Sequence, residues 1–487
     1  MQLMRGHASR RGRRWRSRWF ALSIVLVLSL IPAASPVHSS TQPIGRSFAS
    51  VAGQPDIVLV VTDDQRWDTL WAMPRVQELL ASRGITFTNA FNTNPFCCPA
   101  RASILKGAYS HGTRVYQNSG TFGPFPGFND SSSIATWLDA VGYRTGLIGK
   151  YFNGYTSSRA SYIPPGWDRW VAFAMNNSGG GGFTNYDLSV DGTLVHRGSA
   201  ATDYSTDVLG EYADEFVRST PTDTPLFLMF TPYAPHQPAA VAARHAKAFP
   251  GLAPYRPPSY DEADVSDKPA FIRKLAPLSA STKSRLDTLR LRQLRSLLAV
   301  DDAVARIVGT LEAGGRLGNT MIVFTSDNGF LLGEHRWDQK RVVYEESIRM
   351  PMVVRYDPLI GSPRTDPNLV LNIDLAPTFA ALAGVSAPGA EGSSLLGLLT
   401  DPATAWRSDI LIENKGSAPP TYCAVRNALW IYVQYSTGEE ELYDLVSDPY
   451  QLRSLVNDPA AAQTLTSMRL RLRELCSPPP PGFKFTH

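Results

Sequence analysis

The chain has 487 residues, of which 43% are hydrophobic and 18% are charged, an ordinary composition for a globular protein with a large core. Its formal net charge is +4, but residues 1–18 contain seven arginines and no acid, and without them the charge of the rest falls from +4 to −3. This balance argues against a nucleic-acid partner, and the length predicts one large domain with an appendage or two to three smaller domains.

The amino terminus is typical of a secretory signal. The arginine-rich segment is followed by an apolar run over residues 19–31, and then by Pro32 and several small residues. A run of this length forms about 20 Å of helix, which is shorter than the hydrocarbon core of roughly 30 Å. We therefore predict a cleaved signal peptide over residues 1–39, an exported protein that is secreted or periplasmic, and no stable membrane span after cleavage. An uncleaved amino-terminal anchor is the alternative.

From residue 55 onward, short apolar runs recur along the chain, and each of them ends at polar residues. The runs are continuously apolar and mostly rich in β-branched residues, which is typical of strands that are covered on both faces. The predicted strands include residues 56–61, 147–148, 226–230, 321–324 and 352–354. The predicted helices between them cover residues 133–140, 204–218 and 281–313. This alternation predicts an α/β/α sandwich with a mostly parallel central sheet.

The domain organisation follows from where this alternation begins and ends. Residues 40–54 are polar and predict a linker, whereas residues 55–404 carry the pattern of one large domain. Within that domain, residues 237–280 are rich in proline and alanine and predict a long surface excursion. Residues 405–487 alternate as antiparallel strands do and predict a small carboxyl-terminal α+β subdomain.

Acidic residues follow two of the predicted strands. Asp63 and Asp64 come after the first strand, and Asp327 and Asn328 come after the fourth. Because the carboxyl ends of parallel strands meet at one edge of a sheet, we expect these side chains to lie close together. Oxygen-only ligation suits Ca²⁺ or Mg²⁺ rather than zinc, which prefers nitrogen and sulfur. If each pair is considered alone, Asp63 and Asp64 could instead cap a helix, and Asp327 and Asn328 could instead form a turn.

Basic side chains are candidates for binding an anion beside this metal site. Each of them alone could be an ordinary surface residue. Lys150 ends a buried run, however, and His236 lies between two prolines that restrict its backbone. A divalent cation surrounded by such groups suits an ester of a small oxyanion, either phosphate or sulfate. The candidates are Arg101, Lys150, His236 and Lys340.

The four cysteines fall into two pairs. Cys423 and Cys476 are candidates for a disulfide in an exported protein. Cys97 and Cys98 are adjacent, which does not fit the Cys-x-x-Cys spacing of zinc and redox sites. A thiolate nucleophile would in addition need an activating base. The adjacent pair therefore requires another explanation.

The stretch CCPAR at residues 97–101 matches the motif C-x-P-x-R, and with it the chain resembles the type I sulfatases of the alkaline-phosphatase-like superfamily. It is similar in particular to the N-acetylglucosamine-6-sulfatase-like members, in which C-C-P-x-R and G-K-Y-x-N occur together. The segments that carry the resemblance are DIVLVVTDDQR, CCPARASILKG, GKYFNGY, APHQP, DNGFLLGEHRWDQKRVVYEESIRMP and ELYDLVSDPYQ.

The resemblance implies a chemistry for these residues. Cys97, and not Cys98, would be oxidised to formylglycine by a formylglycine-generating enzyme. A hydroxyl of the hydrated aldehyde would attack sulfur, and the second hydroxyl would then expel sulfate. The implied ligands of Ca²⁺, or alternatively of Mg²⁺, are Asp63, Asp64, Cys97, Asp327 and Asn328. The implied catalytic residues are Cys97, Arg101, Lys150, His236 and Lys340, and the implied substrate-binding residues are Lys150, His236, His335 and Lys340.

Three positions depart from the pattern of these sulfatases. Ala100 stands where many members have serine, Phe152 where many have histidine, and Arg336 where glycine is frequent. A histidine role at position 152 is therefore not carried over. We therefore predict an exported sulfatase that acts on a sulfated sugar. The alternative is a phosphomonoester or phosphonate-ester hydrolase with the same site. A non-catalytic binding protein would be expected to lack Cys97 or some of the ligands, and none of these is missing.

Overall fold

The computed structural model of the chain describes residues 53–174 and 182–486. The predicted signal peptide (residues 1–39) and all but the last two residues of the predicted linker lie outside these ranges, so both stay predictions. In the described part of the chain, no helix is long and apolar enough to span a bilayer.

Ten strands form one large sheet, with the order β12-β2-β11-β8-β1-β7-β3-β4-β5-β6. These strands and the two-stranded ribbon β9–β10 are β1 Asp56–Thr62, β2 Ile85–Phe91, β3 Arg144–Gly149, β4 Arg169–Phe173, β5 Tyr186–Val190, β6 Thr193–Arg197, β7 Leu226–Thr231, β8 Thr320–Ser326, β9 Leu331–Leu332, β10 Asp338–Gln339, β11 Met352–Arg355 and β12 Arg364–Leu371. The five central strands from β8 to β4 are parallel to one another, which confirms a mostly parallel sheet. The fifth predicted strand, β11, is antiparallel to both β8 and β2.

The helices of the described residues confirm the three that the sequence predicted, now α5, α6 and α8, to within two residues at each end. The helices are α1 Pro74–Leu79, α2 Cys97–Lys106, α3 Ser110–Thr113, α4 Pro124–Gly127, α5 Ile134–Asp139, α6 Ser205–Ser219, α7 Ala270–Arg273, α8 Ala280–Ala313, α9 Glu345–Ile348, α10 Leu375–Leu382, α11 Leu396–Thr400 and α12 Ala462–Leu475. The start of α5 is fixed by Ser133, whose backbone N–H donates to Oγ1 of Thr136 at 3.0 Å.

The central strands are apolar on both faces because helices cover the sheet on both sides. In β1, Ile57, Leu59 and Val61 pack in one hydrophobic cluster with side chains of α2, α5 and α10. Val58 and Val60 pack in the opposite cluster with side chains of α6 and α8. Since both faces of β1 are occupied by core residues, the polar residues that follow it are left to the carboxyl edge of the sheet.

The carboxyl-terminal region forms the predicted antiparallel sheet. Its strands are β13 Asp409–Ser417, β14 Pro420–Asn427, β15 Trp430–Tyr435 and β16 Glu440–Asp444. One face of this sheet shares a hydrophobic cluster with Phe91 and Leu331 of the main body, and the other face packs against α12. A disulfide joins Cys423 in β14 to Cys476 at the end of α12, as the sequence suggested.

The prediction that residues 237–280 form a surface excursion is wrong in part. Lys268 is completely buried, and its Nζ donates to the carbonyl of Leu452 at 2.7 Å. Ile272 is buried in the cluster that the main body shares with the antiparallel sheet. This segment contains little regular structure beyond the short helix α7, but a composition rich in proline and alanine does not exclude burial of individual side chains.

Candidate active site

The carboxyl edge of the parallel strands brings the predicted site residues together. Asp63 follows β1, Asp327 follows β8, Lys150 follows β3, and the loop after β7 carries His236. These four strands are neighbours in the sheet, in the order β8-β1-β7-β3. The backbone N–H of Lys150 donates to the carbonyl of Thr231 at 2.7 Å, which ties the ends of β3 and β7 at the same level.

Helix α2 places the two adjacent cysteines in different surroundings. Both lie in its first turn and are buried. Sγ of Cys97 lies 3.5 Å from Oδ1 of Asp63, whereas Sγ of Cys98 accepts a hydrogen bond from the backbone N–H of Asn153 at 3.2 Å. The backbone N–H of Cys98 donates to Oδ1 of Asn118 at 2.9 Å, which satisfies one of the free donors of the helix start. Cys97 is therefore the cysteine that faces the acidic residues.

The three aspartates and Asn328 form one group of buried oxygens. One carboxylate oxygen from each of Asp63, Asp64 and Asp327 lies within 4.8 Å of the other two. Nδ2 of Asn328 donates to Oδ1 of Asp64 at 2.6 Å. Among the described residues, Oδ2 of Asp64 and Oδ1 of Asn328 have no hydrogen-bond partner. Buried oxygens without donors cost free energy, and a hard cation would satisfy them, so the donor set fits Ca²⁺ or Mg²⁺.

Two basic residues, Arg101 and Lys150, donate hydrogen bonds to carboxylates of this group. Nε of Arg101 donates to Oδ2 of Asp327 at 2.8 Å, and another nitrogen of the same guanidinium donates to the carbonyl of Lys150 at 2.9 Å. Nζ of Lys150 donates to Oδ2 of Asp63. Both basic side chains are buried, so they act on the acids without screening by solvent.

Lys340 and His236 lie on the remaining side, next to the nucleophile position. Nζ of Lys340 donates to Oδ1 of Asp64 and, at 2.8 Å, to Sγ of Cys97. Nδ1 of His236 donates to the carbonyl of Gln237 at 2.6 Å. Its Nε2 consequently lies toward Asp64, 3.6 Å from Oδ2. The structure thus brings together, around Cys97 and the aspartates, four of the five basic residues that are predicted to bind or act on substrate.

The fifth, His335, has other contacts. Its ring is completely buried and stacks on Tyr344, with ring centres 3.9 Å apart, and its Nδ1 lies 2.7 Å from Oε2 of Glu262. Nε2 has no partner among the described residues. Its known contacts therefore join it to the loop of residues 237–280 rather than to the acidic group, and its predicted role in substrate binding stays a prediction.

The buried aspartates Asp63 and Asp327 differ in the direction in which their surroundings shift the pKa. Burial alone would raise the pKa of Asp63, but the positive charges of Lys150, His236 and further basic groups hold it well below its usual range. Burial and the negative charge of Asp63 raise the pKa of Asp327 to about 6. Burial raises the pKa of Cys97 to about 12, so an unmodified thiol at this position is not ionised at neutral pH and would be a weak nucleophile.

The segment that carries Lys340 has a strained backbone. Between residues 335 and 341, four residues other than glycine adopt positive φ angles: His335 at 52°, Arg336 at 60°, Gln339 at 94° and Arg341 at 79°. Such conformations are costly and persist where the surrounding structure fixes them, commonly at functional sites. Neither this strain nor the role of Asn118 at the start of α2 had a signal in the sequence pattern, because both depend on tertiary contacts.

Comparison with models of protein families gives an independent assignment. Residues 55–385 match the model described as Sulfatase, and residues 333–477 match the model described as N-sulphoglucosamine sulphohydrolase, C-terminal. The chain therefore belongs to the sulfatase family. This confirms the resemblance found in the sequence and the predicted class of enzyme, a hydrolase of sulfuric ester bonds.

Individual relatives agree with this assignment. The chain is 31% identical over 508 residues to the N-acetylglucosamine-6-sulfatase of Homo sapiens, an alignment that covers 90% of this chain and 89% of the relative. It is 36% identical over 393 residues to the extracellular sulfatase SULF-1 homolog of Drosophila melanogaster, which covers 78% of this chain and only 35% of that longer protein. The predicted similarity to N-acetylglucosamine-6-sulfatases is confirmed.

A solved structure supports the fold. It is described as a protein in complex with its substrate D-glucosamine-2-N,6-O-disulfate, and it superimposes on this chain with a TM-score of 0.76 at 24% identity. The superposition covers 87% of this chain and 98% of the other. The α/β/α fold class predicted from the sequence is therefore confirmed.

Proposed function

We propose that this chain is an exported sulfatase that releases inorganic sulfate from a sulfated amino sugar, through a formylglycine made from Cys97 and a bound divalent cation. The observation that carries the proposal is the position of the Cys97 sulfur. It lies 3.5 Å from a carboxylate oxygen of Asp63 and 2.8 Å from Nζ of Lys340, so one atom contacts both the metal-ligand candidates and a positive charge.

Ca²⁺ is the proposed cation, held by Asp63, Asp64, Asp327, Asn328 and the modified residue 97. Ca²⁺ takes six to eight oxygen ligands in protein sites, whereas Mg²⁺ keeps several waters and commonly uses only one or two carboxylates. Three carboxylates and one amide in a single buried group are closer to the first pattern. When bound, the cation would supply positive charge next to the sulfuryl oxygens and favour the charge that develops there.

The basic residues have distinct proposed roles. Arg101 and Lys150 hold Asp327 and Asp63 in position through the hydrogen bonds described above. Lys340 binds a sulfuryl oxygen. His236 is proposed to protonate the leaving alcohol oxygen from Nε2 in its charged form, while its Nδ1–H donates to the carbonyl of Gln237 and its Nε2 lies on the side of the acidic group. Burial lowers the pKa of this ring, and the negative charges of Asp64 and Asp63 oppose that effect and favour the charged form.

The modification of Cys97 requires a formylglycine-generating enzyme as a partner during maturation. Conversion of the thiol to an aldehyde replaces sulfur with oxygen and removes two hydrogens, a loss of about 18 Da from the peptide. The hydrated aldehyde offers one hydroxyl as nucleophile and a second whose deprotonation releases sulfate. The neutral character of the buried thiol supports the need for such a conversion.

The substrate class is proposed from the relatives and is tested by direct assay. The purified enzyme is expected to release sulfate from N-acetylglucosamine-6-sulfate, the substrate class that the name of the human relative indicates. Under the same conditions, N-acetylglucosamine-6-phosphate is expected to be turned over much more slowly. Phosphate release without sulfate release would contradict the proposal and favour the phosphate-ester alternative.

We also propose a secretion leader and two structural parts for this chain. The leader over residues 1–39 directs secretion, in agreement with a relative that is named an extracellular sulfatase. We propose a catalytic domain over residues 55–404 and a carboxyl-terminal subdomain over residues 405–487. Sequencing the amino terminus of the exported protein tests the leader, since an intact residue 1 would favour the anchor alternative.

A further inference from the structure

Arg341 lies near the nucleophile position and has no role in the chemistry described above. Arg341 follows Lys340 directly, and its guanidinium carbon lies 4.8 Å from the centre of the Phe96 ring. Phe96 immediately precedes Cys97, and Nζ of Lys340 lies 5.9 Å from the same ring centre. The Arg341 guanidinium and the Lys340 ammonium therefore lie around one aromatic ring at the start of helix α2.

Arg341 has no acidic partner within the part of the chain that the structure describes. Its Nε is buried and unpaired among the described residues, and the phenol of Tyr422, which bonds to the main chain of residue 341, is neutral because burial raises its pKa far above the usual range. Arg101, by contrast, is paired with Asp327. A half-buried guanidinium without a counter-charge is costly in free energy, unless an anion from outside the chain binds to it.

Asn414 lies next to this guanidinium and is also unsatisfied. It belongs to strand β13, it is completely buried, and within the described residues neither its amide nitrogen nor its amide oxygen has a hydrogen-bond partner. A Cβ placed on Gly416 would lie 2.6 Å from Nη2 of Arg341 and 3.3 Å from Nδ2 of Asn414. Because position 416 has no side chain, the Arg341 guanidinium and the Asn414 amide approach the same position and lie close to each other.

We infer that Arg341 and Asn414 form an accessory anion subsite, which binds a second negative group of the substrate beside the ester sulfate. A guanidinium offers two parallel donors that match the oxygens of a sulfate or carboxylate, and an amide N–H adds a third donor. The second group is either a further sulfate on the same sugar or the carboxylate of an adjoining sugar. The inference rests on the proposed function, and it makes Arg341 a determinant of specificity.

A purely structural role for the Arg341 side chain is the competing explanation. The backbone of this residue is already held by two other bonds: its N–H donates to the carbonyl of Pro95 at 3.1 Å, and the hydroxyl of Tyr422 donates to its carbonyl at 3.0 Å. Both bonds use main-chain atoms of residue 341 and survive replacement of its side chain. The position of Lys340 therefore does not depend on the guanidinium.

The test compares three substrates that carry the same 6-O-sulfate. They are N-acetylglucosamine-6-sulfate, glucosamine-2-N,6-O-disulfate, and a disaccharide of a uronic acid with N-acetylglucosamine-6-sulfate. Arg341→Gln is expected to lower kcat/KM for at least one of the two substrates with a second anion about tenfold more than for N-acetylglucosamine-6-sulfate. The additional loss should appear as a higher KM, because the variant loses a charge-assisted hydrogen bond to that anion. Loss on the disulfate alone identifies a sulfate subsite, and loss on the disaccharide alone identifies a carboxylate subsite.

Arg336→Gln is the matched control. Arg336 lies in the same strained segment, but its guanidinium donates to the carbonyls of Glu262, Ala263 and Leu275. Its replacement is expected to change kcat/KM for the three substrates by the same factor. An equal loss on all three substrates with Arg341→Gln would overturn the inference and leave the proposed function intact.

A second variant covers the case in which Arg341→Gln does not fold. Asn414→Asp adds a carboxylate that would pair with the guanidinium and repel the second anion. It is therefore expected to lower the ratio of kcat/KM for a substrate with a second anion to kcat/KM for N-acetylglucosamine-6-sulfate. An unchanged ratio with Asn414→Asp would overturn the inference. Absence of sulfate release by the wild-type enzyme from all three substrates would instead overturn the proposed function.

Discussion

Lys340 and Cys97 are 243 residues apart in the sequence and are in direct contact, with Nζ of the lysine 2.8 Å from Sγ of the cysteine. The same ammonium group donates to Asp64. One positive charge is therefore fixed between the nucleophile position and the metal-ligand candidates before any substrate binds. A charge placed in advance, in a buried site, stabilises developing negative charge without the cost of reorganisation.

The two cysteines of helix α2 are expected to differ sharply in their effect on activity. Cys97→Ala removes the residue that faces Asp63 and should lower sulfate release by about 10³-fold or more, as loss of a covalent nucleophile does. Cys98→Ala removes an acceptor for the backbone of Asn153 and should cost less than about tenfold. Initial rates and a peptide mass spectrum of position 97 check both variants. Equal losses would contradict the choice of Cys97.

Removal of the cation should change stability as well as activity. Because the metal binds only the folded site, a free metal concentration 100-fold above Kd adds about 2.7 kcal/mol to the free energy of unfolding. Chelation is therefore expected to lower the melting temperature and abolish sulfate release. Ca²⁺ should restore both more effectively than Mg²⁺ at equal concentration.

Asp327→Asn provides the control for this experiment. It replaces one proposed ligand while keeping the shape of the side chain, and the melting temperature of the variant should respond much less to added Ca²⁺. A wild-type protein that keeps its full activity and melting temperature after exhaustive chelation would remove the four oxygen-bearing residues from their proposed roles.

The sequence was informative where a residue's environment is set by local pattern. The continuous apolar run before Asp63 predicted a strand buried on both faces, and β1 is that strand. Strand β2, which lies next to the edge strand β12, was missed, because the partly exposed residues of Ile85–Phe91 break the apolar run. Lys340 was predicted as a basic residue of the site, but its contact with Sγ of Cys97 was not, since no pattern relates positions 97 and 340. Asn414 had no signal at all, because its place beside Arg341 depends on how β13 packs on the main body.

His111 is expected to make stability depend on pH in the alkaline range. Burial alone would lower the pKa of its ring, but hydrogen bonds to Glu391 and Glu413 raise it to about 10, above the ordinary value of 6.5. A raised pKa in the folded state means that the charged ring stabilises the protein fully below about pH 6.5, and that this contribution is lost as the pH rises toward 10. The free energy of unfolding, measured against denaturant at several pH values, should therefore fall relative to a His111→Gln variant over this window.

The size of this effect has an upper limit, because one proton is involved. The difference between wild type and His111→Gln should change by at most about 1.4 kcal/mol per pH unit. In a Glu391→Gln background, the same comparison should give a smaller slope, since one of the two acceptors no longer attracts the charge. A difference that is constant from pH 6.5 to 10 would show that the ring is not held in its charged form.

Gly149 is expected to be required for the position of Lys150. It has a φ of +129°, and a Cβ at this position would lie 2.1 Å from the carbonyl oxygen of Thr231 in the neighbouring strand β7. That oxygen accepts the hydrogen bond from the backbone N–H of Lys150. Gly149→Ala should therefore push β3 away from β7, lower the free energy of unfolding by roughly 2–3 kcal/mol, and reduce kcat by moving the lysine away from Asp63.

Gly142→Ala separates this collision from the cost of the backbone conformation alone. Gly142 lies just before β3 and also has a positive φ, +88°, but a Cβ there would meet no atom within 4 Å. Its replacement should cost only about 1 kcal/mol and leave kcat unchanged, because an unfavourable φ is the only penalty. Thermal melting and sulfate release, measured on both variants, distinguish the two effects. If Gly149→Ala is no more harmful than Gly142→Ala, the close approach of β3 and β7 does not position Lys150.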